Sequence, residues 1–124
     1  MLTSVPGSSD YYKGSVVVYS YQIKETLLDV NHDTILKYGV VSEQVVTEMA
    51  ENAKKKLDSD YAISCSGIAG PSGGTTDKPV GTVWIAIATP ERTIARKFIF
   101  GRNRQNNINV SATTALNMLR KELI

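Results

Sequence analysis

The residues with the most chemistry to offer lie in one stretch, Ser66-Gly67-Ile68-Ala69-Gly70-Pro71-Ser72-Gly73-Gly74-Thr75-Thr76-Asp77-Lys78-Pro79-Val80-Gly81. Glycines without side chains let a backbone approach a ligand closely, and amides turned together form a nest for an anion. Ser72, Thr75 and Thr76 add hydroxyl donors, Lys78 adds a charge, and Pro71 and Pro79 restrict the loop. The stretch is a plausible cradle for a phosphate or a polar heterocycle. It lacks the G-x-x-x-x-G-K-[ST] spacing of a Walker loop, and no helix follows it as the dinucleotide-binding fingerprint requires. On composition alone it is open whether the loop binds a ligand or only connects two elements.

Four other positions could carry chemistry. Lys24 follows a run that reads as a buried strand, where desolvation would lower its proton affinity and let it act as a base. The competing reading is an ordinary solvated helix lysine. Arg104 opens the last predicted helix and is open to two roles, a phosphate clamp or a surface ion pair. His32, the only histidine, sits beside Asp33 and reads as a helix-start residue. Cys65, the only cysteine, lies in an apolar strand and reads as a buried, inert thiol. One histidine and one cysteine far apart supply no metal-ligand set, so neither metal nor cofactor is expected.

The elements that must position these groups follow from periodicity. Pro6-Gly7-Ser8-Ser9-Asp10 is a loop. The β-branched run Gly14–Tyr19 is expected to be a buried strand. Ser20 caps a short helix to about Leu28, a second runs from about Asp33 to Tyr38 and is closed by Gly39, and Ser42 opens a third. That third helix carries the apolar stripe Val45, Val46, Met49, Ala53, Leu57. Strands are expected over 61–66, 82–88 and 92–100, the last two forming a hairpin around Pro90-Glu91. A final helix over about 103–119 should face Ile108, Ala112, Ala115, Leu116 and Leu119 inward. Helices between strands imply crossovers, hence an α/β fold with a mixed β-sheet and helices packed on it. Ligands sit beyond the carboxyl ends of strands in such sheets, where the glycine loop emerges.

Length and charge bound the rest. The 124 residues make one domain, and 42% hydrophobic residues suffice for a modest core. A net charge of +2 with scattered basic residues does not suit nucleic acid. The run Lys54-Lys55-Lys56 reads as a solvated helix end. No stretch reaches membrane-spanning length and no signal peptide is evident, so a cytoplasmic protein is expected. A single cysteine, with no intrachain disulfide, fits that compartment.

The loop also resembles a known signature. Ser66-Gly67-Ile68-Ala69-Gly70-Pro71-Ser72-Gly73-Gly74, followed by Lys78-Pro79-Val80-Gly81-Thr82-Val83-Trp84, resembles the CinA C-terminal domain family, which includes nicotinamide-nucleotide amidases. Thr3-Ser4-Val5-Pro6-Gly7-Ser8-Ser9 is similar to the loop after that family's first helix. Gly14 through Lys24 resembles its glycine-led stretch ending in Y-S-N-x-x-K, with Tyr21 in place of the asparagine. Gly39-Val40-Val41-Ser42-Glu43 and Gly101-Arg102-Asn103-Arg104 are similar to two further family segments. The resemblance implies metal-free hydrolysis of nicotinamide mononucleotide to nicotinic acid mononucleotide and ammonia, with a lysine activating a serine. It implies Lys24 as that base, with Tyr19 beside it. It further implies that Gly67, Ile68, Ala69, Gly70, Gly73, Gly74 and Thr75 hold the nucleotide or oxyanion, with Arg104 facing the phosphate.

The family's serine lies in an A-E-S-C-T-G-G segment that precedes the Thr3–Ser9 match. The expectation is therefore a single domain lacking its N-terminal strand–helix segment, impaired as an amidase and prone to homo-oligomerise. The alternative is a non-catalytic nucleotide-binding or dimerisation module.

Overall fold

Among the described residues the four α-helices begin the same way, with a short polar side chain accepting a hydrogen bond from a free amide of the first turn. In a computed structural model describing residues 2–124, Ser20 Oγ accepts from Ile23 N to start α1 (Tyr21–Leu28). Asn31 Oδ1 accepts from Asp33 N to start α2 (His32–Tyr38). Ser42 Oγ accepts from Val45 N at α3 (Glu43–Lys56), and Asn103 Oδ1 from Asn106 N at α4 (Arg104–Leu123). Gly39 ends α2 at a φ of 81°, a conformation that favours glycine. His32 is the first residue of α2, as its sequence context suggests. Lys56, at the end of α3, pairs with Asp29 at 2.8 Å on the surface.

The strands are β1 (Ala62–Gly67), β2 (Thr82–Ala88) and β3 (Thr93–Ile99), in the order β1-β2-β3. β2 is central and carries β-branched or small residues buried on both faces. Val83, Ile85 and Ile87 pack against Ala115 and Met118 of α4. Ala86, Ala88 and Trp84 pack on Val46 and Ala50 of α3. The sheet is thus a middle layer between α3 and α4, and the α/β architecture with helices packed on a sheet holds. A third cluster joins α1 and α2 to the outer side of α3 through Leu28, Ile35, Val45 and Met49, with Val18 and Val30.

Two sequence expectations need correction. The run Gly14–Tyr19 is not a strand: it pairs with no strand among the described residues, and only Val18 of the run is buried. Val17 and Tyr19 are each 84% exposed. Composition made the run suited to a sheet, but sheet membership needs a neighbouring ladder, and both described ladders lie elsewhere. The sheet is therefore antiparallel, with no parallel pair among the described residues to make it mixed.

The second correction concerns α4. Its buried positions are Asn107, Ala115 and Met118, while Ile108 and Ala112 are exposed and Leu116 and Leu119 half-buried. The buried face is rotated because the Asn107 carboxamide is drawn inward to backbone groups. Residue Met1 lies outside the described set. Leu2–Ser4 and Ser8–Asp10 form short 3-10 turns. Among the described residues no helix is long and apolar enough to cross a membrane.

Candidate functional site

The glycine loop leaves the end of β1 and returns into β2, and its two ends are closed like a continuation of the ladder. Ile68 N donates to Thr82 O at 2.9 Å and Gly81 N to Ile68 O at 2.7 Å. Thr82, wholly buried, donates from both its amide and its hydroxyl to Pro79 O. Close packing fixes the glycines here. A Cβ on Gly74 would lie 2.6 Å from Val80 N, and one on Gly70 2.5 Å from Val80 Cγ1. Gly81, at a φ of 92°, lies so close to Gly101 that a Cβ would collide with the Gly101 carbonyl. The Gly70–Pro71 peptide is cis.

Two side chains of α4 and one of the loop's own pin this loop. Arg104 Nη1 donates to Gly70 O at 2.8 Å. Asn107 Nδ2 donates to Ala69 O at 3.0 Å and to Gly101 O at 2.9 Å, and its Oδ1 accepts from Gly101 N at 3.0 Å. Lys78 Nζ donates to Tyr38 O at 2.8 Å, so a cation sits against the negative end of α2. Lys78 is therefore a tie between loop and helix rather than a charge held out for a ligand. Thr75 Oγ1 accepts from Lys78 N and shapes the turn that follows the loop tip.

Tyr19 and Lys24 join the same framework. Arg104 Nη2 donates to Tyr19 Oη at 3.3 Å, and Lys24 Nζ donates to Val18 O at 2.8 Å, one residue away. Arg104 thus links the extended 14–19 segment to the loop, and the surface ion-pair reading of Arg104 falls away. Lys24 is 6% exposed, and burial lowers its pKa from the usual lysine range because the charged form loses hydration. The solvated-lysine reading is overturned, although the run before Lys24 is not the strand expected to bury it. The fold brings Tyr19, Lys24, Arg104 and Gly70 into one bonded set. It places Gly73, Gly74 and Thr75 farther along the loop, lining a cavity of about 430 Å³ together with Arg102.

Asn107 and Arg102 are contributions the sequence reading did not single out. An asparagine within a helix carries no periodic signal, and the only hint was its position four residues after the cap Asn103, in phase with Ala115. Cys65 faces away from α3 and its residue is exposed, which corrects the buried reading. Its thiol is nevertheless pushed up to about 11 by local desolvation, so it remains a poor nucleophile. His32 is held above its usual range by the Glu25 carboxylate at 2.5 Å. Among the described residues no group of three or more His, Cys, Asp or Glu side chains gathers in a metal-binding arrangement.

Comparison with known proteins bears on the family and the fold. The family model of the CinA C-terminal domain matches residues 1–123. A CinA-like protein of Cytophaga hutchinsonii is 47% identical over 99% of this chain, which covers 29% of that protein. One from Thermosipho melanesiensis is 49% identical over 97% of this chain, covering 30% of its length. The chain thus spans about a third of these relatives. Among solved structures it is similar to the competence/damage inducible protein CihA of Agrobacterium tumefaciens, with a TM-score of 0.94 and 32% identity, covering 97% of this chain and 74% of that one. A CinA superfamily protein of Enterobacter cloacae gives the same TM-score of 0.94 at 32% identity, over 99% of this chain and 73% of the other. Matched by that family model over nearly its whole length, the chain belongs to the CinA C-terminal domain family.

Proposed function

We propose that this chain carries the lysine-base and nucleotide-binding part of a nicotinamide-nucleotide amidase site. The observation that carries the reading is the Lys24 amine, buried and tied through Val18, Tyr19 and Arg104 to the glycine loop. A buried amine that gives up its proton more readily than usual is suited to take a proton from a weak hydroxyl nucleophile. In the proposed reaction a serine oxygen attacks the nicotinamide carbonyl as Lys24 Nζ accepts its proton. That proton passes to the leaving nitrogen, ammonia departs, and water releases the nicotinic acid product from the acyl-serine. Amides of the loop would stabilise the oxyanion. No metal or cofactor takes part.

No segment of the 124 residues matches the A-E-S-C-T-G-G motif. Two serines near the site are already engaged: Ser20 Oγ caps α1, and Ser66 Oγ donates to Val40 O. The reading expects this chain to bind the mononucleotide. Titration calorimetry with nicotinic acid mononucleotide tests the binding, and silence at millimolar ligand would sink the proposal. Ammonia release from nicotinamide mononucleotide tests the chemistry, and release that survives Lys24→Ala would remove the lysine from its role. A binding or dimerisation module without catalysis is the second reading, favoured by the engagement of Ser20 and Ser66 in the fold, and it predicts binding that Lys24→Ala leaves unchanged. Self-association belongs to both readings, because Val16, Val17, Tyr19 and Leu27 expose apolar surface along one segment. A monodisperse monomer in light scattering would remove it.

A further inference from the structure

The two arginines that flank the start of α4 are in different situations. Arg104 spends its guanidinium on Gly70 O and Tyr19 Oη, a carbonyl and a phenol of the protein itself. Arg102 has no hydrogen-bond or ion-pair partner for its side chain among the described residues, and it lines the 430 Å³ cavity under the loop tip. Ser72, Gly73, Gly74 and Thr75 line the same cavity. The Gly73 and Gly74 amides take part in no backbone hydrogen bond, and the Ser72 hydroxyl has no partner among the described residues. No carboxylate lines the cavity. A concave space with unspent amide and hydroxyl donors and one unspent guanidinium suits a dianion. Its volume falls within the range of small-ligand pockets, about 300–1,000 Å³.

We propose that Arg102 and the Ser72–Thr75 arm form the phosphate subsite, while Arg104 is a positioning residue that braces Tyr19 against Gly70. The proposal rests on the mononucleotide reading above for its ligand, a phosphate monoester. It assigns the phosphate to a different arginine from the one the family resemblance implies. The glycines are part of the device. Gly73 has a φ of 96°, and a Cβ on Gly74 would lie 2.6 Å from Val80 N, so both positions call for glycine.

The test uses two probes on the wild-type chain and on Arg102→Gln, a surface substitution whose folding is verified by circular dichroism. With nicotinic acid mononucleotide, Arg102→Gln should weaken binding about 10- to 100-fold, the range for losing a charge-assisted contact. Binding of the riboside, which lacks the phosphate, should be unchanged. With inorganic phosphate, amide resonances of Gly73 and Gly74 should shift in the wild type and stay still in Arg102→Gln. Equal mononucleotide affinity in the two proteins would overturn the subsite while leaving the amidase reading standing. Phosphate shifts that depend on Arg102, in a protein that ignores the mononucleotide, would support the anion subsite and refute the amidase reading. Phosphate that moves neither glycine would overturn the subsite.

Discussion

Replacing Asn107 by alanine should be among the most damaging single changes available in this chain. Asn107 is 1% exposed and makes three hydrogen bonds, two donated to Ala69 O and Gly101 O and one accepted from Gly101 N. The orientation of its amide is fixed by its partners, since an N–H needs an acceptor and two carbonyls need donors. Each such bond contributes about 1 kcal/mol net, and a buried partner left unpaired costs a further 1–3 kcal/mol. Allowing for relaxation around the small cavity left behind, the expected loss is about 3–5 kcal/mol. That is a large share of the roughly 5–15 kcal/mol by which a domain of this kind is stable. At about 3–5 °C per kcal/mol for a chain of this size, the melting temperature should fall by ~10–20 °C. Urea unfolding gives the free energy directly. Asn107→Asp is the sharper control: it keeps the acceptor for Gly101 N but turns a carboxylate oxygen toward two carbonyl oxygens. At pH 8 it should be no better than alanine, and it should recover part of the loss in acid, where a protonated carboxyl can donate to one of them. A loss under 1 kcal/mol for alanine, or full stability for the aspartate at pH 8, would refute the clamp.

Three further outcomes follow from the same structure. Burial lowers the Lys24 pKa, so between that depressed value and the ordinary 10.5 the unfolded chain holds more protons than the folded one, and stability rises with pH across that window. Urea melts at intervals from pH 7 to about 10.5 should show this rise in the wild type and a smaller one in Lys24→Met; identical slopes would contradict it. Gly81→Ala should cost about 2–5 kcal/mol, combining a positive-φ penalty of about 1–2 with a collision of about 1–3. Gly7→Ala, at a φ of 87° with nothing near its Cβ, should show only the first part, and equal losses at both sites would discount the Gly101 contact. Cys65, with its thiol pushed up to about 11, should react with iodoacetamide at pH 8 about 100-fold more slowly than a free thiol near 9, despite its exposure. Alkylation at the free-thiol rate would show that desolvation does not govern it.

What the sequence made legible is what local physics decides. Ser20, Ser42 and Gly39 mark helix ends because capping involves only a few neighbouring residues. The strands at 62–67, 82–88 and 93–99 carry their own β-branched composition and turn chemistry. Val16, Val17 and Val18 satisfy the same local rules and still form no strand, because ladder formation is decided by what lies alongside. Ile108 and Ala112 fit the helical stripe by spacing. They lose their place to Asn107, whose pull comes from residues 6 and 38 positions away.

The candidate site divides along the same line. Glycine spacing announced the loop, since only glycine tolerates the closeness of Val80 and Gly101 to the backbone. Composition could not show which donors would still be free once the chain folded. Lys78 and Arg104 look like ligand-seeking charges in sequence, yet each is spent on a backbone carbonyl that holds the loop in place. Arg102 looks like a neighbour of the motif and keeps its guanidinium unspent beside the cavity. A cation that braces a loop and one that faces a ligand have the same chemistry and differ only in what the rest of the chain puts in front of them. Substituting Arg104 should therefore disturb Tyr19 and Gly70 before it disturbs a phosphate, whereas substituting Arg102 should leave the loop standing and its anion unbound.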